Sequence, residues 1–159
     1  MNYAQAKQLD TEAIPVIDIT PLRDGSQPQQ VAKALHAASQ QLGFIYIKGH
    51  GIPDEAIEAA REDALAFFRL PDDVKAQWTI TPSHRGWLRQ GASKMQDGIP
   101  ADLKESYVWS HPIPAGEAPD QHPFRDQNVW PDAVPTLENH ALDYYQHASR
   151  VATDLLKGF

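Results

Sequence analysis

Cysteine is absent from this 159-residue chain. That excludes disulfides, thiolate catalysis and every zinc site built on sulfur. Positive charge is also scarce: 14 Lys and Arg against 21 Asp and Glu leave a formal charge of −7. No basic cluster overrides that balance, which argues against nucleic acid or an anionic membrane surface as a partner. No apolar run approaches the ~20 residues of a bilayer-spanning helix. The opening MNYAQAKQLDTEA lacks both the basic flank and the apolar core of a secretory leader. Repeats and low-complexity tracts are missing as well. The expectation is one cytoplasmic soluble domain, long enough to bury most of its apolar surface.

The stretch LGFIYIKGHGIP at 42–53 organises what is there. Phe44, Ile45, Tyr46 and Ile47 read as a short strand buried on both faces. A Gly-His-Gly turn follows, and Pro53 opens a helix at Asp54. Before it, residues 1–13 are polar and expected to be flexible, and Ile14 to Ile19 reads as a strand with Pro15 near its start. Thr20 to Gln27 reads as a loop. Ser26 and Gln29 have capping-box spacing, with Pro28 in the first turn. Val31, Leu35, Ala38 and Leu42 then form a helical stripe that Gly43 would cap.

Beyond Pro53, Ile57, Ala60, Ala64, Phe67 and Phe68 make a second stripe, with Asp54 and Glu55 favoured in its first turn by the helix dipole. Leu70-Pro71 breaks that helix, and a short one runs from Pro71 to about Trp78. Residues 79–100 are punctuated by Pro82, Gly86, Gly91 and Gly98. Arg85 to Leu88 reads as a brief strand, and Lys104 to Ser110 as one alternating through Tyr107 and Trp109. A Pro-rich loop (Pro112, Pro114, Pro119, Pro123) leads to a last helix opened by Pro135. Its stripe of Leu137, Ala141, Tyr144, Ala148, Val151, Leu155 and Phe159 demands a large apolar partner.

Chemistry is harder to find than structure. Gly49-x-Gly51 between strand and helix suggests a dinucleotide turn, but Asp54 stands at the third glycine position and would repel the pyrophosphate. None of the seven histidines is followed by Asp or Glu at i+2, the usual opening of a two-His, one-carboxylate iron site. His140 and His147 lie about 10 Å apart by helix rise, too far to share an ion, and read as surface positions. His50 between glycines reads as a hydrogen-bonded turn residue. Ser83, His84 and Ser106 fit no nucleophile signature. Asp72-Asp73 is explained by its helix start. Trp78, Trp87, Trp109 and Trp130, with Phe67 and Phe68, read as core, since no basic residues interleave them.

Several segments, in order, nevertheless resemble one family: IPVIDI at 14–19, LGFIYIKGHGIP at 42–53, FFRLPDDVKAQW at 67–78, RGW at 85–87, DLKESYVW at 102–109 and NVWPDAVP at 128–135. Together they are similar to the N-terminal region of the isopenicillin N synthase-like non-haem iron oxygenases, most of which use 2-oxoglutarate. The likeness runs from Ile14 to the end of the chain. It departs at Lys48-Gly49, where the family often has Asn just before His-Gly, and at Trp87, where Tyr is commoner.

The resemblance implies an α+β fold: a helical N-terminal region, 14–159, with a few short strands that normally completes a double-stranded β-helix (jelly-roll). The helix from about 135 to 159 corresponds to the family's spine helix. Fe(II) and 2-oxoglutarate are implied as cofactors, and a small organic molecule as substrate. The family's His-x-Asp, distal His and Arg-x-Ser come later in the chain than anything seen here, and no Arg in this sequence has Ser at i+2. The catalytic half is thus expected to be absent, with no catalytic, cofactor or metal residue supplied by this chain. Gly158-Phe159 reads alternatively as a native cap, with glycine left-handed and Phe159 folded back. By resemblance, Arg85 would meet a substrate carboxylate, and Trp87 and Tyr107 would form an apolar wall; loop surface and core are the plainer readings of the same three. Strands left without barrel partners expose edges, so the missing half, another protein chain or a homo-oligomer is expected to cover them. Against this half-oxygenase stand a non-catalytic accessory module and, lowest, a complete enzyme with an unrelated site.

Overall fold

A computed structural model describes residues 14–93, 101–114 and 124–159. The segment expected to be flexible, 1–13, lies outside them, as do Gly98, Pro119 and Pro123. Two compact units form, one from the described residues up to Asp54 together with Asp143–Phe159, the other from Glu55–Leu142.

In the first unit, β1 (Val16–Asp18) and β2 (Tyr46–Lys48) pair in parallel, with Val16 opposite Tyr46, Ile17 opposite Ile47 and Asp18 opposite Lys48. The strand expectation at 42–53 needs correction. It starts at Tyr46, two residues later than read, and it is covered on one face only: Phe44 is 73% and Tyr46 59% exposed. The period of 2 sorts Ile45 and Ile47 inward and Phe44 and Tyr46 outward. Ile17, Ile19, Leu22, Val31, Leu35, Ala38 and Val151 form the core beneath, with Ile45, Ile47, Ile52 and Leu155 packed on it. At Gly49 the backbone turns with φ +70, and a Cβ there would lie 2.1 Å from the Thr20 hydroxyl. Only glycine fits that turn.

The expected loop at 20–27 contains a one-turn helix, α1 (Thr20–Arg23), whose Pro21 sits in the first turn. Asp18 Oδ1 accepts the Thr20 N–H at 2.9 Å, and that bond holds the Asp18 carboxyl below its usual range. Helix α2 (Pro28–Gln41) follows without the expected Ser26–Gln29 capping box: Gln27 is the N-cap and makes no side-chain bond. The reason is local competition, because Asp24 Oδ1 claims the Ser26 N–H at 2.8 Å in an Asx turn. Gly43 ends α2 as expected, with φ +73 and its N–H on Ala38 O.

In the second unit, α3 (Asp54–Phe68), α4 (Asp72–Lys75) and a 3-10 turn (Ala76–Trp78) fall where the stripes and Pro71 place them. Two antiparallel strands, β3 (Gly86–Leu88) and β4 (Ser106–Val108), pair with Trp87 opposite Tyr107. The strand read over 104–110 is therefore three residues long. Asn128 explains its end, since its Oδ1 accepts the Ser110 N–H and its Nδ2 donates to Ser110 O, both at 2.9 Å. A side-chain amide takes the place of a strand partner. Phe67, Trp87, Val134, Leu137 and Ala141 form this unit's core, with Trp78, Tyr107, Trp109 and Trp130 against it.

The last helix, α5 (Leu137–Gly158), begins two residues after the expected Pro135, because turns 131–134 and 134–137 precede it. Its end contradicts the left-handed cap. Gly158 is helical and buried, a Cβ there would meet Leu35 Cδ1 at 2.9 Å, and Phe159 is 74% exposed rather than folded back. Glycine stands there because α5 packs closely on Leu35 and Leu22.

Candidate functional site

The β3–β4 ladder carries the three residues singled out from the sequence. Trp87 and Tyr107 face one another across it, and Arg85 precedes it by one residue. What puts them there is a tight approach of β3 to the 3-10 turn. Ile80 N–H bonds Trp87 O at 2.8 Å, and Thr81 N–H bonds Arg85 O at 2.7 Å. Gly86, with φ +105, would bring a Cβ within 2.5 Å of Trp78 O. Gly86→Ala is accordingly expected to cost about 1–3 kcal/mol, from strain at a positive φ and from the clash. Urea unfolding of that variant measures it.

Trp87 is buried, and its Nε1–H donates to Glu105 Oε2 at 2.7 Å. The same oxygen accepts Lys75 Nζ at 2.8 Å. Lys75 is only 4% exposed, and its ammonium also reaches Asp72 at 3.0 Å and Phe68 O at 3.3 Å while lying 5.0 Å from the Trp87 ring centre. Three acceptors satisfy its three donors. Tyr107 stands beside this cluster with its hydroxyl donating to Val129 O at 2.6 Å and its ring stacked 6.4 Å from Trp130.

Burial by itself lowers the Lys75 pKa, but the bonds to Glu105 and Asp72 outweigh it and raise the group above its ordinary 10.5. Burial pushes the Tyr107 phenol above its ordinary 10. Each thus holds its proton more tightly folded than unfolded. The resulting stability is fully present below the unfolded values and is lost as pH rises through the folded ones. Unfolding free energy is therefore expected to fall steadily above about pH 10, measured by urea titration at successive pH values. A flat profile there would contradict the cluster.

Arg85 is 5% exposed. Its Nη1 donates to Ser83 O at 2.9 Å and His84 O at 3.0 Å, its Nη2 to Phe124 O, and its Nε is buried without a partner among the described residues. The neighbouring His84 takes a left-handed φ of 59°. Asp126 accepts the Ser83 hydroxyl at 3.0 Å and so ties 83–85 to 124–126.

The sequence reading missed the Lys75–Glu105 pair. A signal existed: Glu105, Tyr107 and Trp109 alternate onto one strand face, and a carboxylate on an apolar face requires a cation. His140, read as a surface position, is 42% exposed at its side chain, and its Nδ1 lies 2.7 Å from Asp63 Oδ2. His50 does act in its turn, accepting the Ile52 N–H at 3.1 Å. Among the described residues no three His, Asp or Glu side chains converge to hold an ion. These residues do not fit an Fe(II) centre.

Residues 14–133 match the family described as non-haem dioxygenase in morphine synthesis, N-terminal. A homoarginine-6-hydroxylase of Oryza sativa subsp. japonica is 36% identical over 134 residues, 77% of this chain and 40% of that protein. One from Glycine max is 29% identical over 161 residues, 94% and 48% of the two. A 2OG-Fe(II) oxygenase family protein from Caulobacter crescentus superposes with a TM-score of 0.76 at 24% identity, over 92% of this chain and 47% of that one. A full-length Neurospora crassa protein solved with alpha-KG and thymine gives 0.70 at 22%, over 94% and 50%. The chain thus spans about half the length, or less, of these relatives. The order of short strands and helices described above is the fold these structures match, and the chain belongs to the non-haem dioxygenase N-terminal family.

Proposed function

We propose that this chain is the scaffold and substrate-pocket half of an iron- and 2-oxoglutarate-dependent oxygenase acting on a small organic molecule, inactive until a catalytic jelly-roll half completes it. One observation carries the reading: residues 14–133 match an N-terminal dioxygenase family while the chain spans less than half of these relatives, and its described residues hold no set of metal ligands. Supporting it, Val16, Phe44 and Tyr46 present apolar surface on the outer side of β1–β2, and among the described residues no third strand pairs with that ladder, whose edges invite one. When bound in the completed protein, the metal supplies oxygen activation. This chain's residues bind, orient and exclude water.

In this reading Trp87 and Tyr107 wall the pocket and Arg85 anchors a substrate carboxylate. The donor count supports Arg85. Among the described residues three of its five N–H groups go to carbonyls, which leaves Nε–H and one Nη2–H, the adjacent pair that grips a carboxylate side-on. The accessory-module reading, in which another polypeptide or a second copy covers the helical layer, draws on the exposure of Leu156 and Phe159. The coding sequence after Phe159 separates the two. His-x-Asp, a distal His and Arg-x-Ser are expected there, and a stop codon with no such sequence nearby would favour the accessory module.

A further inference from the structure

A groove of about 450 Å³ lies in the first unit, between Arg23 at the end of α1 and Ser149, Arg150, Thr153, Asp154 and Lys157 on α5. That unit contains none of Arg85, Trp87 and Tyr107. The α5 residues recur at i, i+1, i+4, i+5 and i+8, one stripe about 12 Å long by helix rise. Three cations therefore share one groove with a single carboxylate, on a chain whose overall charge is −7.

That carboxylate is already committed. Asp154 Oδ1 accepts Lys157 Nζ at 3.0 Å, and Asp154 Oδ2 lies 3.7 Å from Arg23 Nε. Arg23 Nη1 is fixed by Gly49 O at 2.9 Å, so its guanidinium is held at the wall by the same turn that organises β2. Its Nη2 remains for another acceptor. Arg150 is exposed and makes no hydrogen bond or ion pair among the described residues. The groove thus offers one oriented guanidinium, one uncommitted guanidinium and an ammonium with donors to spare, beside the Ser149 hydroxyl; the Thr153 hydroxyl already donates to Ser149 O at 2.9 Å.

We propose that this groove is an oxyanion site that takes a phosphate-type dianion, free or carried on a small molecule. Two positive charges exceed the single carboxylate, which suits a dianion. Two guanidinia approaching from different elements match a tetrahedral group with several acceptor oxygens better than a planar carboxylate. The exposed setting and ordinary salt screening keep the affinity modest.

Titration of the chain with inorganic phosphate, followed by backbone amide shifts at constant ionic strength, tests this. Saturable shifts are expected at Arg23, Arg150, Thr153 and Lys157. Arg150→Gln is expected to weaken binding roughly tenfold, and Asp154→Asn to tighten it several-fold by removing the competing carboxylate. Tightening is an outcome that damage to the fold does not mimic. Lys33→Gln, an exposed cation outside the groove, is expected to leave binding unchanged. The proposal is overturned if chloride at matched ionic strength gives the same shifts, if malonate binds as tightly as phosphate, or if Arg150→Gln and Asp154→Asn have no effect.

Discussion

Replacing Lys75 with alanine is expected to remove about 3 kcal/mol of folding stability, at the lower end of what breaking a buried ion pair costs. Glu105 Oε2 would lose its cation while keeping only the Trp87 N–H, and Phe68 O would lose a donor. Because Glu105 is still 30% exposed, water can partly replace the ammonium, which keeps the loss below the upper end of that range. Glu105→Gln is expected to cost much less, since the amide oxygen can still accept both donors at the same place. Urea unfolding of the two variants gives the comparison. Equal losses would mean that packing, and not charge, holds the cluster together.

Phe67→Ala is expected to be at least as damaging, at about 3–5 kcal/mol, because a fully buried ring leaves a cavity its neighbours cannot fill. Phe67 is 0% exposed and touches three rings edge-on: Tyr107 at 4.7 Å, Phe68 at 5.6 Å and Trp78 at 6.4 Å between centroids. Those pairs add attraction beyond the area they bury. Phe67→Leu is expected to recover more than half of the loss by refilling most of the volume. Chemical denaturation measures both, and tryptophan emission reports the cavity separately, since Trp78 lines it. A loss near 1 kcal/mol for Phe67→Ala would show that Trp78 and Tyr107 collapse into the space.

Long-period features were legible in the sequence. The stripes of α2, α3 and α5, the break at Pro71 and the cap at Gly43 each repeat one physical requirement over many residues or fix it with one special residue. What failed depended on a single competing contact. The Ser26–Gln29 box lost to Asp24, two residues earlier, and the apolar run at 44–47 gave no hint that only one face would be covered. Gly158 carried the composition of a helix cap, yet it serves the approach of Leu35. At the site, Arg85 reads as an ordinary loop arginine. Its burial depends on Phe124 O, 39 residues away, which no local pattern discloses. Glu105 was the exception, since alternation placed it on the apolar face of β4 and its cation could have been sought.

The family relationship also gives the residue-level observations their order. Lys75, Glu105 and Trp87 brace the β3–β4 ladder, Gly86 lets it close on the 3-10 turn, and Tyr107 completes the aromatic layer. Nothing in that set performs redox chemistry. Its role in the proposed oxygenase is to hold a pocket wall rigid while another part of the protein holds the metal.

The most direct measurement is of the isolated chain under nitrogen, with Fe(II) and 2-oxoglutarate added: iron retained after gel filtration, and succinate formed once oxygen is admitted. The account predicts no stoichiometric iron and no succinate above the protein-free background, together with a cooperative unfolding transition that shows the chain is folded. One iron per chain, with 2-oxoglutarate consumed at a rate that scales with protein, would contradict it.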